Sequence, residues 1–299
     1  MKFRRLGSTE LNVSVVGVGT WQFGGEWGVD YTQNEADAIL KAAQELGINF
    51  IDTAECYGDH LSERLISNTI RHNRDQWIVA SKFGHHYNDR FDRDELWSAA
   101  DVQAQLEDSL RALGTDYIDI YQFHSGTDEA FDNDDLWAML ARQVQAGKVR
   151  HLGISIGAND NAYQTGRAVE VGASVIQVIY NRLDRVPEDE VFPLCIEHDL
   201  GVLARVPLAS GFLSGKYRPG TIFTDKTDVR SRHDEEKVQT RLAEVERIQR
   251  EEVPQGRDMA AWALAWCLRH PAVTCVIPGC KSPEQVRRNA ATSELELAP

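Results

Sequence analysis

Four side chains able to hold or move a proton stand at defined points in the first half of the chain. Asp52 closes the apolar run Phe50-Ile51, and Tyr57 follows five residues later, beside Gly58. Lys82 comes at the end of the run 77–81, and His124 at the end of 118–123. Short apolar runs of this kind read as buried strands. A carboxylate at the end of such a strand needs a partner, because desolvating an unpaired charge costs several kcal/mol or shifts its pKa. Lys82 is the candidate. An ammonium beside a phenol stabilises the phenolate and is expected to lower a tyrosine pKa from its ordinary value of about 10. With Asp52 holding Lys82 and His124 orienting an oxygen, Tyr57 is equipped to protonate a carbonyl oxygen as hydride reaches the carbon.

The elements that must bring these residues together alternate along the chain. Runs 3–6 and 13–18, joined by Gly7-Ser8-Thr9-Glu10, predict a hairpin leading into a first strand and the loop Gly19-Thr20-Trp21. Helical spacing predicts helices over 35–46 (stopped by Gly47), 62–71 (with Ser62 as N-cap), 94–113, 133–146 and 159–171. Further helices are expected over 188–198, 235–250, 258–269 and 283–291, with strands at 149–155, 175–180, 201–206 and 273–277. His85, His86 and Tyr87 fall on a loop, and 207–234 has no helical period, so it reads as a long functional loop. About eight strand–helix pairs without a dividing linker predict a single α/β domain over residues 1–299. The expected fold is a (β/α)8 TIM barrel with an N-terminal β-hairpin and a long loop after strand 7. In such a barrel the C-terminal strand ends meet on one face, where Asp52, Tyr57, Lys82 and His124 would converge. No GxGxxG follows an early strand, which argues against a Rossmann sheet.

The bulk numbers agree with that size. The chain has 299 residues, 42% hydrophobic and 26% charged, as expected of a globular protein with a sizeable core. No apolar run approaches the roughly 18 residues of a membrane span, and the N-terminal stretch lacks an apolar export segment. Five cysteines without a CxxC pair read as reduced thiols, so a cytoplasmic setting is expected. The net charge of −14, spread along the chain, argues against nucleic-acid or membrane partners. An anionic cofactor would therefore need a local basic patch. His85-His86 are neighbours in sequence and do not make a metal site, so no metal is expected. Cys56 reads as inert packing. Trp262 and Trp266, spaced i, i+4, read as core.

The segments FIDTAECYG, VASKFG and DIYQFHS together resemble the aldo-keto reductase family, whose Asp-Tyr-Lys-His tetrad falls at Asp52, Tyr57, Lys82 and His124. The resemblance covers almost the whole chain, from Leu6-Gly7 to IPGCKSPEQVRRN, and is of the bacterial type, related also to potassium-channel β-subunit-like reductases. It implies reduction of aldehydes or ketones by direct hydride transfer from NADPH, with NADH the lesser alternative, and a small carbonyl compound as partner. It places Thr20 and Trp21 beside nicotinamide, and Trp21, Tyr57 and His124 beside substrate. Asp52, Ser155 and Gln177 belong with the nicotinamide contacts. The run from Arg205 through Val206, Pro207, Leu208, Ala209 and Ser210 to Lys216 corresponds to the pyrophosphate loop, with backbone N–H groups at Leu208 to Ser210. Gly279, Lys281, Gln285, Arg288 and Asn289 correspond to the adenosine-phosphate segment, where Lys281 and Arg288 would favour a 2′-phosphate.

Three departures stand out. Ile156 replaces an Asn or Arg that would hydrogen-bond, and Arg205 replaces an aromatic ring, offering a guanidinium plane instead. The adenosine segment follows a Gly-x-Lys…Gln…Asn variant. The chain ends soon after the last helix, so the resemblance implies an open pocket without a long C-terminal loop. Two other roles compete with the reductase: a cofactor-sensing regulatory subunit with slow or vestigial reductase activity, and a Schiff-base aldolase using Lys82. Against the second stands the salt bridge expected from Asp52.

Overall fold

The structure is a computed structural model that describes residues 1–295. It opens with the antiparallel pair β1 (Phe3–Arg5) and β2 (Asn12–Ser14). The alternating part begins with β3 (Val18–Gly19), α1 (Gln33–Glu45), β4 (Phe50–Asp52), α2 (Leu61–Ile70) and β5 (Ile78–Phe83). A second hairpin, β6 (His85–Asp89) and β7 (Asp92–Glu95), precedes α3 (Ala99–Leu113) and β8 (Ile118–His124). Then come α4 (Asp128–Phe131), α5 (Asp134–Gln145), β9 (Val149–Ser155), α6 (Ala162–Gly166), β10 (Ala173–Ile179), α7 (Val191–Glu197) and β11 (Gly201–Arg205). The last elements are α8 (Glu235–Glu251), α9 (Met259–Arg269), β12 (Cys275–Val276) and α10 (Pro283–Ala291).

Eight strands pair in parallel in the order β12-β11-β10-β9-β8-β5-β4-β3. Parallel bridges Val16–Val276 and Gly19–Gly279 join the two ends, so the sheet closes into the (β/α)8 barrel. The barrel interior is filled by Phe50, Ala80, Ile120, Val175, Leu203, Cys275 and Ile277, together with Leu6 and Val13 from the first hairpin. Leu6 packs at Gly201, the first residue of β11, where a Cβ would come within 2.6 Å of its side chain. The hairpin thus plugs the end at which the strands begin and leaves the opposite mouth free. The larger of these side chains (Leu, Ile, Val and Phe), fully buried, each contribute about 1.5–3 kcal/mol.

Local chemistry sets the element ends. Helix α1 starts on a capping box between Thr32 and Glu35, and Gly47 follows it at φ +76°. Three expected boundaries are corrected. Ser62 is not an N-cap: α2 begins after His60, and the buried Ser62 hydroxyl instead donates to Thr20 Oγ1 at 2.8 Å and accepts from Thr53 Oγ1 at 2.9 Å. The helix expected from residue 94 starts at Ala99 with Ser98 as cap, because 85–95 pair as a hairpin. That segment is polar on both faces and turns at Phe91 (φ +67°), so it carries no apolar alternation to read. The helix expected over 159–171 shrinks to Ala162–Gly166, where Asn161 caps one end and Gly166 weakens the other. The long loop after β11 holds as expected, its helical turns being 3-10 turns at Ala209–Ser214 and Val229–Arg232.

Candidate active site

The tetrad meets at the open mouth. Lys82, in β5, is 1% exposed, and its Nζ donates to Asp52 Oδ2 at 2.9 Å, to the Thr53 carbonyl at 2.7 Å and to Tyr57 Oη at 3.2 Å. Asp52 ends β4 and keeps its second oxygen busy: Gln177 Nε2 donates to Oδ1 at 2.6 Å and Gln122 Nε2 at 3.3 Å. Ser155 Oγ donates to Gln177 Oε1 at 3.2 Å, so the ends of β9 and β10 are tied into the same network. Tyr57 lies on the loop after β4 between Trp21, stacked at 6.3 Å, and His124, edge-on at 6.2 Å. The Nδ1 of His124 sits 3.7 Å from Cys56 Sγ.

Burial decides the protonation states. It pushes the Tyr57 phenol up to about 12, outweighing the lowering effect of Lys82. This corrects the expectation of a lowered tyrosine pKa: the ammonium is in place, but the ring is too dry for the phenolate to profit. Burial alone would lower the Lys82 pKa, but Asp52 and Tyr57 together raise it above the ordinary lysine value. A lysine held charged is not the neutral amine that Schiff-base chemistry requires. Burial, then Lys82, hold the His124 imidazole neutral, well below its usual range. Burial likewise raises the Cys56 thiol, in keeping with inert packing. The arrangement is a neutral phenol, pinned by a cation, facing open space.

That space is a cavity of about 480 Å³ running from Asp52, Tyr57 and His124 past Gln177 and Arg205 to Lys216, Lys281 and Arg288. Thr20, Trp21, Val206, Pro207, Leu208, Ser210, Gly279, Gln285 and Asn289 also line it. Thr20 is fully buried, and its hydroxyl donates to the Asp52 carbonyl at 2.9 Å. The turn after β11 has positive φ at Val206, Ala209, Ser210 and Gly211, the kind of backbone from which anion-binding nests are built. Not all of those amides are free, since the Ala209 N–H is spent on the Val206 carbonyl at 2.9 Å. At the far end Lys281 Nζ donates to the Trp27 carbonyl at 2.8 Å, and Arg288 is paired with Asp258. Gln285 accepts from the Lys281 N–H, and Asn289 donates to Cys280 Sγ.

The long loop crosses the cavity and is tied down on the other side. Trp27 bridges to Asp228, the Gly28 N–H donates to the Thr227 carbonyl at 3.1 Å, and the Val229 N–H donates to the Glu26 carbonyl at 2.9 Å. Beneath this crossing Arg230 pairs with Asp228 and donates to Tyr217 Oη at 2.7 Å.

Sequence reading missed Arg93, which lines the cavity, and several buried groups that support its wall. Gln122 was legible, because it stands two positions before His124 on the same face of β8. Glu26 and Arg93 left no such signal. Arg93 comes from the second hairpin, and Glu26, fully buried, takes it as an ion-pair partner while accepting from Trp21 Nε1 at 2.5 Å. Glu55 also escaped notice. It is 3% exposed, accepts from the His85 N–H at 3.1 Å and has one oxygen without a partner, and burial pushes its carboxyl up to about 8.

Residues 15–299 match the aldo/keto reductase family profile. The chain belongs to the aldo/keto reductase family, which is a family of oxidoreductases. Among curated sequences it is 34% identical to the Bacillus subtilis uncharacterized oxidoreductase YqkF, over 97% of this chain and 90% of that one. It is 30% identical to the NADH-specific methylglyoxal reductase of Escherichia coli, over 100% and 95%. A Schizosaccharomyces pombe protein named for a voltage-gated potassium channel β subunit matches at 29%, over 98% and 88%. Among solved structures, aldo-keto reductase AKR11C1 from Bacillus halodurans, holo form, superposes with a TM-score of 0.83 at 31% identity, covering 100% and 93%. An aldo/keto reductase from Klebsiella pneumoniae in complex with NADP and acetate has a TM-score of 0.74 at 28% identity, covering 99% and 91%. No helix among the described residues is long and apolar enough to cross a membrane.

Proposed function

We propose that the chain, acting as one barrel, reduces aldehydes or ketones to alcohols with NADPH as hydride donor and Tyr57 as proton donor. The observation that carries this is the buried chain Asp52–Lys82–Tyr57, with links of 2.9 and 3.2 Å, ending in a neutral phenol on the cavity floor. When bound, the reduced nicotinamide supplies the hydride. Tyr57 gives its proton to the carbonyl oxygen, and Lys82 stabilises the phenolate left behind. His124, neutral and edge-on to Tyr57, is suited to steer that oxygen. Gln177 lines the cavity, and Ser155, buried behind it, donates to its Oε1 and so orients that amide.

The cavity suits a dinucleotide by its donor set: its lining takes in the positive-φ turn after β11 together with Lys216, Lys281 and Arg288. A Cβ on Gly279 would come within 3.0 Å of Gln22 Oε1, so that wall has no room for a side chain. The Klebsiella relative carries NADP and the Escherichia coli one is NADH-specific, so the preference of this chain rests on its own cations. The test follows NADPH, and separately NADH, by absorbance with an activated aromatic aldehyde, for wild type and Tyr57→Phe. Loss of about 10²-fold or more in turnover, with dinucleotide binding retained, is the expected outcome. An active Tyr57→Phe protein would remove Tyr57 from the mechanism.

A further inference from the structure

Arg205 ends β11 at the cavity floor, beside the tetrad, and no acid is paired with it among the described residues. Its Nη2 donates to the Ile156 carbonyl at 3.0 Å, and its buried Nε has no partner. The two departures noted in the sequence are thus one feature, since the apolar residue after Ser155 lends its carbonyl to the guanidinium that replaces a ring.

The floor's charges do not balance. Asp52 is matched by Lys82, and Glu26 by Arg93. Tyr57 and His124 are neutral, burial keeps the neighbouring Glu55 carboxyl protonated below about pH 8, and Arg205 remains as one unmatched positive charge. Arg205 is near enough to help hold His124 neutral and to feel Asp52 and Tyr57. Any ring that delivers hydride to a carbonyl resting on Tyr57 must lie on this same floor, walled by Trp21, Asp52, Gln177 and Arg205.

We infer that Arg205 makes the site bind the reduced dinucleotide in preference to the oxidised one. The inference rests on the proposed reductase reading. Hydride donation to the carbonyl carbon, with the Tyr57 proton going to the oxygen, turns a neutral reduced nicotinamide into a cation. The phosphates are common to both forms and cancel in their affinity ratio, so the ratio isolates the ring's charge. One unmatched unit charge about 6–10 Å away, at an effective dielectric constant of about 20, shifts that ratio by about ten- to a hundred-fold. An aromatic ring at position 205 would act in the opposite sense, since its face attracts a cation. The consequence is directional: oxidised product leaves readily, and the bound couple's potential rises by about 30 mV for each tenfold of ratio.

The experiment titrates NADPH and NADP⁺ separately onto the intact protein, following calorimetry and the intrinsic tryptophan fluorescence, with no substrate present. Wild type is expected to bind NADPH at least about tenfold tighter than NADP⁺. Arg205→Gln should lower that ratio about tenfold, chiefly through tighter NADP⁺, while Arg205→Lys keeps it. Equal wild-type affinities overturn the inference without any variant. A ratio unchanged in Arg205→Gln, with both affinities weakened together, also overturns it and makes Arg205 a packing residue. In both cases the reductase reading stands. Failure of wild type to bind either form would overturn both.

Discussion

Replacing Lys82 by Met separates what the buried ion pair does for stability from what it does for chemistry. Lys82 and Asp52 are both within 4% of complete burial, so neither charge can fall back on water. Removing one partner of a buried pair costs about 3–5 kcal/mol, mostly as the penalty on the charge left behind. Here Asp52 keeps two amide donors, Gln177 at 2.6 Å and Gln122 at 3.3 Å, and bonds of that kind to a charged group are worth about 1.5–3 kcal/mol. The cost of Lys82→Met should therefore fall near the lower bound, about 3 kcal/mol. The double variant Asp52→Asn/Lys82→Met removes the stranded charge while Asn Oδ1 still accepts from Gln177. It should recover about 2 kcal/mol of the loss. Urea unfolding, followed by far-ultraviolet circular dichroism and tryptophan fluorescence, measures both; with a slope of about 3 kcal/mol/M the single variant's midpoint drops by about 1 M. Reductase turnover should stay lost in the double variant, because its phenol no longer has the ammonium that donates to it. A double variant no more stable than Lys82→Met would refute the claim that an unpaired Asp52 is what the lysine prevents.

Three other outcomes follow from the same geometry. With Tyr57 protonated up to about pH 12, carbonyl reduction should be flat from about pH 6 to 10, while alcohol oxidation, which needs the phenolate, should climb about tenfold per pH unit. A reductive rate falling with a midpoint below about pH 9 would contradict this. Glu55 has a folded pKa of about 8 against about 4.5 unfolded, raised by burial and by Glu63 and opposed by the His85 N–H and His60. The folded state then holds the extra proton, so Glu55's contribution is fully present below about pH 4.5 and is lost as pH rises through 8. Glu55→Gln, which never ionises, should gain on wild type by several kcal/mol between pH 5 and 9; parallel stability–pH curves would sink the assignment. Finally, Asp258 pairs with Arg288 through one oxygen and caps α9 through the other. Asp258→Asn keeps the cap and frees the guanidinium, so NADPH binding should tighten about two- to five-fold with NADH unchanged, the scale of one exposed ion pair.

What could be read from the sequence was whatever rests on side-chain type and period. The tetrad was legible because Asp52, Lys82 and His124 each terminate an apolar run, and parallel runs that alternate with helices must end on one face. The hairpin at 85–95 was not, because both its faces are polar and nothing in its composition repeats with period two. Arg93 was hidden with it, and so was the anchoring of Trp21 through Glu26. The Tyr57 pKa failed for a different reason. The sequence names the cation that lowers it, but how dry the phenol is depends on Trp21, from the loop after β3, and His124, at the end of β8, closing over it. Ile156 and Arg205 mark the limit most clearly. Read as side chains, each removes a polar contact or a ring that the family pattern leads one to expect. In the folded chain they compensate, because β9 and β11 flank β10 and present the Ile156 carbonyl to the guanidinium. A backbone oxygen has the same chemistry after every residue, so only the strand order reveals which one is offered. The charge that this carbonyl holds in place is the one left unmatched on the cavity floor. Two substitutions that look like separate losses therefore act as a single electrostatic change at the position where the proposed reaction creates a cation.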